Sequence, residues 1–245
     1  MGLLAIIGGT GFDGLEALEP LAEEVQPTPY GPASAPVRRG RLGRAEVLFL
    51  PRHGDQHRLP PHRVNYRANL WALKALGADR VLGLAAVGGI ASGFGPRVFA
   101  VPNQLIDYTY GRDHTFYDGD ATGVQHVDFT EPYCPRLRGD LLAACAQAGV
   151  AVSHTATYGA TQGPRLETAA EIVRLERDGC HLVGMTGMPE AALARELGLG
   201  YACLAFVVNW AAGKGKGAID MAEIDQHLLH CVGWVAKILT ALAAR

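Results

Sequence analysis

The sequence predicts an α/β fold: a single three-layer domain over residues 1–245, with a mixed, partly barrelled central sheet flanked by helices. Two observations carry that reading. Short apolar runs of strand length alternate with amphipathic stretches of helical spacing, the order expected when helices wind about a sheet. Several of the runs end on glycine, and the chain holds 31 glycines, so the strand exits leave room for a ligand against the main chain. With 245 residues and an apolar share of 49%, the chain can bury one large core. No internal repeat and no interdomain linker interrupts it.

Residues 3–7 form a continuous apolar run that ends in GGTG (Gly8 to Gly11), a buried strand feeding a tight turn that exposes backbone amides to an anion. The same residues satisfy G-x-G-x-x-G through Gly9, Gly11 and Gly14, the dinucleotide fingerprint. That fingerprint requires a helix and a second strand ending in an acid about 20 residues on. Here PTPYGPASAP occupies residues 27–36 instead, and proline-rich sequence cannot continue a helix. An NAD-binding oxidoreductase is therefore the disfavoured alternative class.

Residues 37–50 predict a hairpin, with AEVLFL as its second strand. The loop PRHGDQHRLPPHRVNY follows at residues 51–66, dense in histidine and arginine and broken by proline. A solvated basic loop is the plain reading. The functional one is that Arg52 and His53, just past a strand end, bind a dianion through charge-assisted hydrogen bonds. A helix over 69–76 stops at Gly77, and a strand over 81–86 runs into VGGIASGFG, where Gly88 and Gly89 let a ligand approach the backbone.

A strand over 98–108 leads into a polar, aromatic excursion at 111–135, whose length argues for a binding loop or a subunit contact. A helix over 135–148 and a strand over 150–158 come next. TQGPRLET then precedes a helix over 169–177, with Glu167 near its N-terminal turn, where the helix dipole favours a carboxylate. A short strand at 183–185, a helix over 189–197, a strand over 201–209 and a final helix over 219–242 complete the pattern. No role for Trp210 follows from its position.

The totals exclude several classes. A net charge of −2, from 22 Lys+Arg against 24 Asp+Glu, gives no footprint for nucleic acid or anionic lipid. No apolar run approaches the about 20 residues of a membrane span. The five cysteines show neither the CxxC spacing of a metal site nor a disulfide framework, and no basic leader precedes the first strand. The expected protein is cytoplasmic, metal-free and directed at a small molecule.

Taken in order, IIGGTG, RHGDQH, VNYRANLWALK, GPRLET, GMTGMPE and LAFVVN resemble the trimeric purine nucleoside phosphorylase family, on its methylthioadenosine phosphorylase branch. The resemblance runs from about residue 3 to residue 240, nearly the whole chain. It implies a phosphate site formed by Thr10, Arg52, His53, the backbone amide of Ala86, and Thr186. It also implies that the purine lies on Ala86, Val87 and Gly88, faces Leu166, and meets Glu167 and Asn209 along its edge. Met185 would lie against the sugar, with His57, Met221 and, from a neighbouring subunit of a homotrimer, His126 near its 5′ end. The implied reaction needs no cofactor, because inorganic phosphate is a co-substrate.

Two departures from the adenine-specific members matter. Those carry serine after the aromatic residue of GPRF, and an aspartate pair at the end of the last strand; here the positions hold Glu167, and Asn209 with Ala211. A 6-oxopurine carries hydrogen on N1, which a carboxylate accepts, whereas adenine presents a lone pair there. Asn209 can donate to N7 or O6, as an aspartate cannot. Each mismatched buried polar contact costs about 1–3 kcal/mol, so the pair together selects 6-oxopurines.

The expected reaction is phosphorolysis of S-methyl-5′-thioinosine to hypoxanthine and 5-methylthioribose 1-phosphate. Asn209 and Glu167 would stabilise the leaving base while bound phosphate stabilises the cationic sugar. Phosphorolysis of inosine or guanosine, and of methylthioadenosine, are the alternatives on the same scaffold. A nucleoside-binding protein without catalysis would leave Thr10, Arg52 and His53 without a role.

Overall fold

The computed structural model describes residues 2–12, 15–119 and 123–245. Gly14, the third glycine of the dinucleotide fingerprint, and residues 120–122 of the long excursion lie outside the described residues.

The apolar runs become strands where the sequence places them: β1 (Leu3–Gly8), then an edge strand β2 (Glu19–Glu24), then the hairpin β3 (Val37–Leu42) and β4 (Ala45–Pro51). Helix α1 (Tyr66–Ala75) starts earlier than expected because the Asn65 side chain caps it, accepting from the Ala68 amide at 3.0 Å. The long strand β5 (Ala78–Gly89) follows, then β6 (Phe99–Ala100), β7 (Gln104–Asp107) and helix α2 (Pro135–Gln147). After β8 (Val152–Ser153) and β9 (Thr157–Ala160) come helix α3 (Ala169–Arg177), β10 (Leu182–Gly184) and helix α4 (Gly187–Glu196). Strand β11 (Gly200–Trp210) and helix α5 (Met221–Ala243) end the chain.

Strand β2 carries no period-2 signal because it is exposed on both faces. It is held by charge: Glu24 pairs with Arg39 at 2.6 Å and Glu23 with Arg38 at 3.3 Å across to β3. No helix separates β1 from β2 among the described residues, and this removes the dinucleotide-binding alternative.

The single strands expected over 98–108 and 150–158 are each broken in two. Pro102 has no N–H to give a ladder, so the first stretch stops and restarts around it. The breaks are stapled together, with Asn103 donating its amide to the Ala156 carbonyl at 3.1 Å and its side chain accepting from the Ala156 amide at 3.0 Å.

Strand β5 is the hub of the sheet. One edge pairs along its length with β11; the other pairs with parallel β1 over its first half and with antiparallel β10 at Gly88 and Gly89. From β11 the pairing passes to β6 and β8, and from β10 to β9 and β7. Because β6–β7 and β8–β9 are halves of two parallel neighbours, the circuit β5, β11, β6/β7, β8/β9, β10 closes, which is the partly barrelled sheet.

Side chains alternate between two layers, as the pleat requires. Leu4, Ile6, Leu82, Leu84, Leu204 and Phe206 pack against α2 and α5, while Ala5, Ile7, Val81, Ala85, Cys203 and Val207 pack against α1 and α4. With the sheet buried on both faces, the strand ends are the open positions.

Candidate functional site

A cavity of about 540 Å³ opens beyond the carboxyl ends of β1, β4, β5, β10 and β11. Strands β1, β4, β5 and β11 run parallel and deliver their exits to one rim, where open α/β sheets bind ligands. A larger groove of about 770 Å³ runs past Gly11, Leu15 and Arg38. No buried charged side chain faces it among its described lining residues, so it lacks the chemistry of the first.

Arg52 follows β4 directly and is 1% exposed. Its Nε and Nη2 donate to both oxygens of Glu190 at 2.7 and 2.8 Å, and Nη1 donates to the Leu84 carbonyl at 2.9 Å. Burial opposes the charge, but the Glu190 carboxylate more than offsets this and holds the guanidinium above its ordinary pKa. A guanidinium has five N–H groups, so two remain for a ligand once these three are used. Thr10, from the β1 turn, lines the same end of the cavity, and Gly9 brings its backbone so close that a Cβ there would sit 3.0 Å from Arg52 Nη1.

Sequence reasoning passed over Glu190, although it lies within GMTGMPE. Its signal is an acid at the head of the apolar stretch AALA: a carboxylate that must be buried needs a buried cation. It is fully buried in the first turn of α4, where the helix dipole favours it, and also accepts from the Tyr201 hydroxyl at 2.8 Å.

His53 lies in the cavity wall as expected, but its role is corrected. Its Nδ1 donates to the Leu59 carbonyl at 2.8 Å, which leaves Nε2 as a bare acceptor. Burial, and then the Arg52 charge, depress its pKa to about 3, so the ring is neutral at physiological pH. It offers a hydrogen-bond acceptor to a protonated anion, rather than the charge-assisted donor expected from sequence. The His57 ring lies against it, tilted by 33° at 4.2 Å between ring centroids, and also lines the cavity.

One wall is β5, which contributes Ala86, Val87 and Gly88 to the lining. A β-bulge in β11 leaves Val208 outside the ladder and brings Asn209 opposite Gly88. Asn209 Nδ2 donates to the Trp210 carbonyl at 2.8 Å, so one amide N–H and the carbonyl oxygen remain to meet a ligand. The position of Trp210 is thereby explained: its carbonyl orients Asn209, while its ring covers Gly95, where a Cβ would lie 2.9 Å from it.

Leu166 and Glu167 line the opposite wall. Thr161 donates its hydroxyl to Glu167 Oε1 at 2.6 Å, which turns the carboxylate away from α3. The helix has its own cap, a reciprocal box between Thr168 and Glu171, so Glu167 is not used for capping. Met185 and Thr186, between β10 and α4, close the third side, and the Thr186 side chain makes no cap to that helix. Met221 is 61% exposed at the mouth. His126 is exposed and does not line the cavity of its own chain.

Among the described residues, no three His, Cys, Asp or Glu side chains are grouped to hold a metal ion, and no helix is long and apolar enough to cross a membrane. The five cysteines are unpaired, four of them buried. Burial pushes the Cys203 thiol up to about 12 and those of Cys145 and Cys231 up to about 11.

The cavity can seat an anion at Arg52, a flat ring on Ala86 to Gly88, and a carboxylate with a carboxamide at the ring's edge. Such a cavity has room and chemistry for two small molecules at once, a heterocycle and an anion. The phosphorylase superfamily pattern matches residues 3–244, and the chain belongs to that superfamily of nucleoside phosphorylases. A probable S-methyl-5′-thioinosine phosphorylase of Pseudomonas syringae pv. tomato is 56% identical over 245 residues, covering 98% of this chain and 100% of that protein. A probable 6-oxopurine nucleoside phosphorylase of Thermococcus kodakarensis is 46% identical over 226 residues, covering 90% and 84% respectively. Methylthioadenosine phosphorylase of Schistosoma mansoni, solved with adenine, superposes at a TM-score of 0.95 with 32% identity over 100% of this chain and 91% of that one.

Removing Glu190 alone should leave Arg52 charged and buried without its partner. Glu190→Ala is expected to lose about 3–5 kcal/mol in urea unfolding, and adding Arg52→Met should recover a large part of it.

The depressed His53 pKa fixes a second outcome. Between pH 6.5 and about 3 the unfolded chain binds a proton that the folded chain refuses, so stability present above pH 6.5 is lost as pH falls. His53→Asn should flatten the fall of the urea midpoint between pH 6.5 and about 4.

Proposed function

We propose that the protein catalyses phosphorolysis of S-methyl-5′-thioinosine, giving hypoxanthine and 5-methylthioribose 1-phosphate. The single observation that carries this reading is the pairing of Glu167 and Asn209 beside the Ala86 to Gly88 wall, in the cavity that also holds Arg52. A carboxylate and a carboxamide match the N1 hydrogen and O6 of a 6-oxopurine; the lone pair on adenine N1 would instead face the Glu167 carboxylate. The names carried by the similar bacterial and archaeal proteins agree with a 6-oxopurine base.

In the proposed reaction, phosphate sits on the two remaining N–H groups of Arg52, on Thr10 and Thr186, and on the Ala86 amide. Neutral His53 accepts a hydrogen bond from the phosphate hydroxyl through Nε2, which leaves an unprotonated oxygen to face the sugar. That oxygen forms the new bond to C1′ as the C1′–N9 bond breaks, and the electron pair passes into the purine. On release the purine takes a proton from solvent, while the sugar phosphate gives up the former phosphate hydroxyl proton to solvent. Asn209 donates to N7 or O6, where negative charge collects as the base departs, and Glu167 holds the base by accepting from N1–H. Catalysis is then positioning and electrostatics, with no cofactor beyond the phosphate co-substrate.

The methylthio group is favoured over a 5′-hydroxyl by the apolar Ile219, Met221 and Ile224 beside Met185 at the mouth. The exposure of Met221 and Leu166 suits a homotrimer in which a neighbour covers the opening and supplies His126. The unpaired thiols suit a reducing cytoplasm.

Steady-state comparison of methylthioinosine, inosine and methylthioadenosine, each with and without phosphate, tests the reading. The expected order of kcat/KM is methylthioinosine, then inosine, then methylthioadenosine, with no turnover when phosphate is omitted; faster methylthioadenosine turnover would overturn the base assignment.

Glu167→Ser with Asn209→Asp should move preference toward 6-aminopurines. The second change sets a carboxylate against the Trp210 carbonyl, where an amide now donates. The double variant is therefore expected to lose overall kcat/KM while the ratio of methylthioadenosine to methylthioinosine rises about tenfold or more.

A further inference from the structure

Arg112 lies in the excursion after β7, is 8% exposed, and among the described residues directs every one of its hydrogen bonds to a neutral oxygen. Nη2 donates to the Thr161 and Gln162 carbonyls at 3.3 and 2.8 Å, and Nε donates to Gln162 Oε1 at 3.1 Å. On the other side Nη1 donates to the Met185 and Met188 carbonyls at 2.8 and 2.6 Å and to the Tyr66 hydroxyl at 3.3 Å. A buried cation without a counterion is costly, and the carbonyls converging on it are the compensation.

Those carbonyls belong to two turns that carry different halves of the proposed chemistry. Thr161 holds Glu167 by its hydroxyl, on the purine side. Met185 and Met188 bracket Thr186 and lead to Glu190, which grips Arg52, on the phosphate side. One planar group therefore spans the base-edge turn and the anion turn. We propose that Arg112 is a positioning residue that fixes the separation of these two turns, so that base and phosphate are held in register for transfer. The inference rests on the phosphorolysis reading and names a residue outside the cavity wall as a determinant of its selectivity. Lysine cannot substitute, because a point-like ammonium cannot reach acceptors on both turns at once.

The test measures kcat, KM for phosphate and the methylthioinosine to methylthioadenosine ratio of kcat/KM, for Arg112→Ala, Arg112→Lys and Gln162→Leu. Misplacement of reacting groups by about 1 Å costs about 10²-fold, so Arg112→Ala is expected to lower kcat by about that factor, to raise KM for phosphate, and to narrow the base ratio about tenfold. Low-millimolar guanidinium should restore part of kcat to Arg112→Ala, whereas equal sodium chloride should not. Arg112→Lys should resemble the alanine variant, and Gln162→Leu should shift the same quantities less far.

A folded Arg112→Ala with unchanged phosphate KM and base ratio would overturn the proposal. If neither Arg112 variant folds, Gln162→Leu decides, and unchanged values there would overturn it as well. Wild-type protein without phosphate-dependent turnover would instead sink the phosphorolysis reading, a separate outcome.

Discussion

The buried contact between Arg52 and Glu190 is the constraint on which the site is built. It joins the exit of β4 to the first turn of α4, two elements 138 residues apart in sequence, and it does so inside the protein. A lone charge at either position would be untenable there. The carboxylate makes the guanidinium permanent, and its charge in turn helps to keep neighbouring His53 neutral. One ion pair thus sets the electrostatic character of the anion end of the cavity.

The remaining parts arrange themselves around that end through the topology of the sheet. Because β5 pairs on both edges and exchanges β1 for β10 partway along one of them, three sets of strand exits converge on one opening. The closed circuit of broken strands brings the loop after β9 beside the end of β10, with the Thr161 amide donating to the Gly184 carbonyl at 2.8 Å. Groups far apart in the chain meet there without any long connection crossing the cavity.

Much of this was legible in the sequence, for identifiable reasons. The strands β1, β4 and β11 were readable because runs buried on both faces are continuous and end abruptly. Among the lining residues, Arg52 and Asn209 stood out at strand ends, Glu167 after a Gly-Pro turn and Thr186 beside a glycine, whereas the roles expected of them, and of Thr10 and Ala86, came from the family resemblance of the motifs that hold them. What was hidden has physical causes too. Strand β2 is organised by charge pairing across an exposed edge, and the broken strands depend on the Pro102 interruption meeting a gap in a partner far along the chain, at Ala156. Glu190 and Arg112 read as ordinary surface charges until their partners are known, and the neutrality of His53 depends on a carbonyl, at Leu59, that no side-chain pattern announces.

The unpaired residue at Val208 has a further meaning. Up to that point β11 keeps strict parity with β5 and serves the interior; beyond it the count is offset by one, and the same strand lines the cavity. Interior packing and cavity lining are therefore written in separate frames of a single continuous segment. A residue at the tip can change without repacking the hydrophobic interior, whereas losing one amino acid at the offset would present a different side chain to the cavity.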